Sequence, residues 1–232
     1  KMTESNIERI QKIEQSFLTP LSFAKADRFL YGEGNVYKIC RASEQKRRLI
    51  LFNDIIVIAK ISPNNKCFDP ISFQLEEVQV SEAKDSDDFQ NAWNINTPKK
   101  SFMVCAYSQS DKINWMGRIR QKANERREML GISKPPETAA VWIPNSGAKT
   151  CMCCKKYEFS VIRRRHHCRK CGIVVCGPCS TNKIVIENMN QEQSMRVCLN
   201  CFKQSLMKDQ RPEQTSTQHD EESEEAEATF YK

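Results

Sequence analysis

Along the first thirty residues the apolar positions Ile7, Ile10, Ile13, Phe17 and Leu18 recur at helical spacing, with Glu14 set inside the same stripe. The pattern predicts a short helix within segment 1–33, docked on a neighbouring surface rather than anchored in a membrane. From Gly34 the period becomes that of strands, over 36–40, 48–52, 55–60, 72–75, 78–80, 93–96 and 101–107, separated by turn formers such as Asn53-Asp54 and Pro63-Asn64-Asn65. Ser110 is placed to cap a helix over 111–129, where Ile113, Met116 and Ile119 make an apolar stripe. Seven short strands followed by one helix predict a β-barrel over 34–130 whose open mouth the helix covers. Pro135-Pro136 marks 131–140 as a linker with hinge character, and the polar, acidic stretch 208–232 reads as a disordered tail.

Composition sharpens this picture in two ways. The chain has 232 residues, 28% charged and 39% hydrophobic, which suits two small domains. No apolar run approaches the roughly 18 residues of a membrane-spanning helix. The start carries no export-signal pattern, so the expected setting is cytoplasmic. Charge is distributed unevenly: residues 141–205 hold 11 Lys and Arg against 3 Asp and Glu, whereas 220–227 is almost wholly acidic. Such asymmetry predicts a basic face for an anionic membrane and a tail able to compete for it.

Between Cys151 and Cys201 lie four CxxC pairs: Cys151/Cys154, Cys168/Cys171, Cys176/Cys179 and Cys198/Cys201. A CxxC turn lets two thiolates converge on one ion, and structural Zn²⁺ takes four such ligands, so eight cysteines suffice for two zinc ions. The formal charge of +7 then falls to about +3, because eight thiolates outweigh two divalent ions. With ligand shells saturated by sulfur there is no open position for an activated water, and no nucleophile–base pair or phosphate loop suggests turnover, so no enzyme is expected. Spacing alone permits pair one with two and three with four as well as other combinations. Cys153, between two ligands, is expected to be a bystander.

The run Arg164-Arg165-His166-His167-Cys168-Arg169-Lys170-Cys171-Gly172, Trp142 with Asn145 ahead of the first pair, and Arg196-Val197-Cys198 before the last resemble a FYVE domain. The segment 34–129, with Trp115 at the helical tryptophan position, resembles a PH domain. Together with the acidic tail the chain resembles the phafins, PH plus FYVE adaptors of endosomes and lysosomes. The resemblance implies an α+β multi-domain chain: an N-terminal segment 1–33, a PH-like seven-stranded barrel capped by a C-terminal helix (34–130), a linker (131–140), a two-zinc cross-brace FYVE finger (141–207) and a tail (208–232). It implies that Cys151, Cys154, Cys176 and Cys179 share one zinc, and Cys168, Cys171, Cys198 and Cys201 the other.

The same resemblance implies phosphatidylinositol 3-phosphate as ligand, on the cytoplasmic side of endosomal or lysosomal membranes. Arg165, Arg169 and Arg196 would hold the 3-phosphate, Arg164 the 1-phosphate, and His167 would read inositol hydroxyls while His166 helps order the pocket. Arginine suits this role because its planar fork matches phosphate oxygens. Val161 and Ile162 correspond to the membrane-inserting tip, and Phe159 to core. One position departs from the family, which has aspartate where Asn145 stands; an amide offers one acceptor oxygen instead of two, so reading of the free hydroxyls is affected. In the barrel, Lys38, Arg41, Lys46, Arg47 and Arg48 form a candidate second phosphoinositide site, and the PH domain is a candidate surface for protein partners. The weaker alternatives are a FYVE-like scaffold for a small GTPase, a RING-type ubiquitin ligase, and a zinc knuckle with a solvated basic edge. The RRHHCR run argues against the GTPase scaffold, and nucleic acid, open to any basic zinc module, is not the expected partner.

Overall fold

Strand pattern in the barrel buries both faces rather than one. The computed structural model describes residues 5–41, 43–86, 89–187 and 189–209. Its barrel strands are β1 (Leu30–Ile39), β2 (Glu44–Phe52), β3 (Ile55–Ile61), β4 (Cys67–Gln74), β5 (Gln79–Glu82), β6 (Ala92–Asn96) and β7 (Phe102–Cys105), all paired antiparallel in the order β4-β3-β2-β1-β7-β6-β5. Because successive side chains in a strand point to opposite faces, Leu49 and Leu51 of β2 enter one core while Ile50 and Phe52 enter another. The first core gathers Val36, Ile56, Ile58, Phe73, Trp93, Ile95, Phe102 and Val104, so the sheet closes around a single interior. β1 begins at Leu30, four residues before Gly34, where the strand period is expected to start.

The second core explains the N-terminal segment. Helix α1 (Asn6–Gln15) starts at a capping box in which Ser5 and Glu8 exchange side-chain-to-backbone bonds. It lays Ile10 and Ile13, followed by Phe17 and Phe23, on Ile50, Phe52, Ile55 and Val57 of the outer sheet face. Glu14, which breaks the apolar stripe, serves the chain locally, because its carboxylate accepts the backbone N–H groups of Phe23 and Ala24 and so holds the turn that follows the helix. Buried Arg28 closes the segment by a two-point pair with Asp54 and a bond to the Phe23 carbonyl at 3.0 Å. The segment is therefore a second layer of the barrel domain, not an appendage.

Helix α2 (Gln109–Met129) caps the interior, but its start and its face both differ from the sequence expectation. Ser108, not Ser110, accepts the N-terminal amide of Asp111, at 3.0 Å. The inward face runs through Lys112, Met116, Ile119, Ala123 and Arg127, whereas Ile113 is 60% exposed. The reason is that the two polar ends of that face find partners: Lys112 pairs with Glu82 at 2.7 Å, and Arg127 donates to the carbonyls of Glu76 and Val78. Trp115 packs on β1, where a Cβ at Gly34 would come within 3.1 Å of its ring, so glycine is needed there for close approach.

The linker is strapped down. Gln79 donates its side-chain amide to the Pro136 carbonyl at 2.8 Å, and Ala139 donates to the Thr97 carbonyl at 2.9 Å. These bonds, absent from any sequence pattern, tie the later part of 131–140 to the barrel at Pro136 and Ala139. The zinc module that follows has β8 (His166–His167) paired with β9 (Val174–Val175), β10 (Lys183–Ile186) paired with β11 (Asn190–Arg196), and helix α3 (Leu199–Asp209). Helix α3 runs two residues past the expected end of the module; the remainder of the acidic tail lies outside the described residues.

Ile10 is fully buried between the helix and the sheet. Ile10→Ala should therefore destabilise the barrel domain by about 2–5 kcal/mol through lost burial and an unfilled cavity, measured by urea unfolding.

Candidate functional site

Eight cysteine sulfurs converge in two groups. Cys151, Cys154, Cys176 and Cys179 form one, Cys168, Cys171, Cys198 and Cys201 the other, with all sulfurs of a group within 4.8 Å of each other. A tetrahedron of sulfurs about 2.3 Å from zinc has edges of about 3.8 Å, and the Cys171 and Cys198 sulfurs are 3.9 Å apart. Backbone N–H groups point at two of them, from Cys176 to Cys151 and from Cys201 to Cys198, as thiolate ligands require. The donor set therefore fits two structural Zn²⁺ ions in the interleaved order that the family resemblance implies. Cys153 and both histidines fall outside the sulfur groups.

The zinc loops carry the cations. Gly172, with φ of +79°, ends the second CxxC turn where a Cβ would stand 2.2 Å from the Val141 carbonyl, and its own carbonyl accepts the Ile143 N–H. That contact draws the Trp142 segment onto the turn. Trp142 stacks on His167 at 5.0 Å between centroids, and the Arg169 guanidinium lies 3.9 Å from the indole centroid. The Arg169 N–H donates to the Arg196 carbonyl at 2.9 Å, which sets these two arginines side by side. Arg196 is steadied by the Ser180 carbonyl and hydroxyl, and Arg165 by the Ala148 carbonyl and the Phe159 ring. Arg164 is exposed. Phe159 packs against the cysteine core, as the sequence suggests.

The two histidines differ in burial and partners. His167 is the buried one, and its Nε2 donates to the Ile143 carbonyl at 2.8 Å. It thus orders the Trp142 segment and keeps one ring nitrogen for other partners. His166 is the more open. Burial pushes both below the ordinary histidine pKa, with added repulsion from Arg196 and Arg164 on His166, and from Arg41 and Arg169 on His167.

Val161 and Ile162 are 94% and 93% exposed at the tip of a turn in which Ser160 and Arg163 bond to each other. Two adjacent apolar side chains this open have no internal packing role. Asn145 begins a short 3-10 turn, Asn145–Gly147, and its side-chain oxygen is buried without a hydrogen-bond partner.

The five barrel cations do not form one cluster. Strand alternation turns Lys38 and Arg47 inward at the barrel mouth, where they line a recess of about 170 Å³ together with Lys60, Lys100 and Asp69. Nothing in the sequence singles out Lys60 and Lys100, because they reach the mouth from distant strands and loops. Burial, and then Lys100, push the Lys38 pKa down to about 8. Arg48 faces the opposite side and pairs with Glu33 at 3.5 Å, and Lys46 shares that outer face. Arg41 leaves the barrel altogether and reaches the zinc module.

Six of the eight buried residues in the core of this module are cysteines, so little apolar packing would survive loss of metal. A strong chelator should unfold residues 141–207 while the barrel keeps its own cooperative transition. Calorimetric unfolding with and without the chelator, alongside zinc content, would record the two events separately.

A family model for the FYVE zinc finger matches residues 141–207. Among curated proteins, pleckstrin homology domain-containing family F member 2 of Danio rerio is 40% identical over 206 residues, covering 87% of this chain and 82% of that protein. The Homo sapiens member 2 is 38% identical, covering 86% of this chain and 81% of that protein, and Homo sapiens member 1 is 36% identical, covering 93% and 77%. A solved complex of the PDZ-RhoGEF DH/PH domains with GTP-γ-S-activated RhoA matches 52% of this chain and 40% of that one at 16% identity, with a TM-score of 0.42, a similarity too weak to bear on the fold. With a PH-like barrel, a FYVE finger built on two four-cysteine centres and identity at this level along most of both chains, the protein belongs to the phafins, the pleckstrin homology domain-containing family F of phosphoinositide-binding adaptors.

Proposed function

We propose that this protein is a non-enzymatic adaptor recruited by its FYVE finger to membranes that carry phosphatidylinositol 3-phosphate, on endosomes or lysosomes, in trafficking or autophagy. The observation that carries the reading is the pairing of Arg169 with Arg196 on the zinc loops, in a module whose same basic run holds Arg165 on the Ala148 carbonyl and follows directly on the exposed Val161-Ile162 tip. A phosphomonoester has several strong acceptor oxygens that guanidinium forks satisfy, and an apolar pair next to it can enter the acyl boundary while the headgroup is held. Among the described residues no helix is long and apolar enough to cross a membrane, which fits a peripheral mode. Shells of four thiolates leave the histidines free of metal, unlike the histidine-containing array of a RING finger.

A second phosphate site at the barrel mouth is favoured by the recess that holds Lys38, Arg47, Lys60 and Lys100 against one acid, Asp69. Two tethered lipid contacts would lengthen residence on a membrane, since the second becomes intramolecular once the first is made.

Sedimentation of the zinc-loaded chain with liposomes carrying single phosphoinositides tests the main reading. Selective binding to the 3-phosphate is expected, with a loss of about tenfold or more in an Arg165→Ala, Arg169→Ala variant that retains zinc. Binding undiminished in that variant would move recognition to the barrel mouth, and no binding to any lipid would favour a protein scaffold. Val161→Ser with Ile162→Ser should weaken vesicle binding by about tenfold while leaving affinity for a soluble headgroup unchanged, because up to about 1.5–3 kcal/mol of burial per side chain is lost only at the bilayer.

A further inference from the structure

The barrel and the zinc module meet at one loop and one ring. The Arg41 carbonyl, beyond the end of β1, accepts the backbone N–H of Asn145 at 3.3 Å. Its guanidinium lies over Trp142, 4.9 Å from the ring centroid, so the indole that carries Arg169 and His167 of the zinc module also carries an arginine of the barrel domain. Beside this contact a cavity of about 230 Å³ opens between the two domains, walled by Lys38, Arg41 and Lys100 on one side and by Trp142 and His167 on the other.

Among the described residues the charges gathered here have no carboxylate partner, and the negative charge nearest them is that of the thiolate ligands, with Cys168 directly preceding Arg169. Among the described residues Arg28, Arg48, Lys60, Lys112, Lys122 and Arg126 each pair with a carboxylate, whereas Arg41, Arg169 and Arg196 do not. Asn145, bonded through its backbone to Arg41, is an amide and supplies no negative charge. Guanidiniums assembled on one aromatic platform repel one another, and a bound anion relieves that repulsion while accepting their hydrogen bonds. Arg41 is itself exposed, so it is free to turn toward a ligand.

We propose that Arg41, contributed by the barrel domain, contacts the phosphorylated inositol headgroup bound at the FYVE arginines, making the headgroup site composite across the two domains. The inference rests on the headgroup reading above and adds to it a residue from outside the finger. The ligand chemistry is an inositol bearing phosphomonoesters, either in a membrane lipid or free. Binding then clamps the two domains together, and the strapped linker holds Arg41 near its position before the ligand arrives.

The test uses the full zinc-loaded chain as wild type, Arg41→Gln, Arg41→Lys, and the Arg165→Ala, Arg169→Ala variant. Each is titrated calorimetrically with free inositol 1,3-bisphosphate and, separately, with vesicles containing phosphatidylinositol 3-phosphate. Arg41→Gln should weaken both by about tenfold with zinc content and thermal midpoint unchanged, and Arg41→Lys should recover part of the loss by restoring the charge without the fork. Unchanged or tighter binding in Arg41→Gln overturns the proposal, the latter because it would mean that Arg41 obstructs the site. A loss confined to vesicles overturns it as well, since Arg41 would then meet the bilayer and not the headgroup. Wild type that binds neither probe removes the headgroup reading and this inference together. Binding abolished in the double variant yet untouched in Arg41→Gln removes the inference alone.

Discussion

Two tetrathiolate zinc centres hold the frame on which Arg169 and Arg196 meet. Outside the sulfur groups the module has two-residue strands at β8 and β9, one short ribbon and one helix, and its buried core is mostly cysteine. A domain so poor in apolar area cannot orient long arginine side chains by packing alone, so metal coordination supplies the rigidity. The interleaved ligand order matters for the same reason. It ties the turn holding His167, Cys168 and Arg169 to the strand ending at Arg196, which sets arginines from distant parts of the chain side by side.

Trp142 extends that frame outward. The Gly172 turn fixes its segment, His167 stacks on it and two arginines lie over it. An aromatic platform suits this role because it accepts cations on its face without neutralising them, leaving their hydrogen-bond donors available for an anion. His167 serves the platform through the Ile143 carbonyl, which is why the buried histidine is the one that directly precedes the ligand Cys168.

The barrel is more than a spacer. Its outer sheet face would be an exposed apolar surface without α1 and the segment to Arg28, and the layer so formed leaves the barrel mouth and the Arg41 loop as its open, basic features. Linker bonds to Gln79 and Thr97 bring the finger to that basic side. Lys38 and Lys100 border both the barrel mouth and the interdomain cavity, so the two recesses adjoin along the basic side of the barrel.

Local chemistry is what a sequence records directly. The CxxC pairs announce metal because each such turn lets two thiolates converge on one ion, although spacing leaves open which pairs share it; the RRHHCR run announces an anion site because it concentrates forked donors; and β-branched alternation announces the barrel strands. Caps and faces are less legible where two residues compete for a role. Ser108 and Ser110 both suit an N-cap, and Ile113 is as apolar as Ile119, but the choice is made by Glu82 and by carbonyls at Glu76 and Val78, which are remote in sequence. The basic cluster from Lys38 to Arg48 is contiguous along the chain yet divides among the barrel mouth, the outer sheet face and the interdomain contact, because strand alternation and a loop send neighbouring residues in different directions. The sequence by itself determined the ligands, the charges and the family of this protein, since each depends on residue type and short spacing. Only the tertiary structure decided which cations share a site, because that depends on contacts between residues a hundred positions apart.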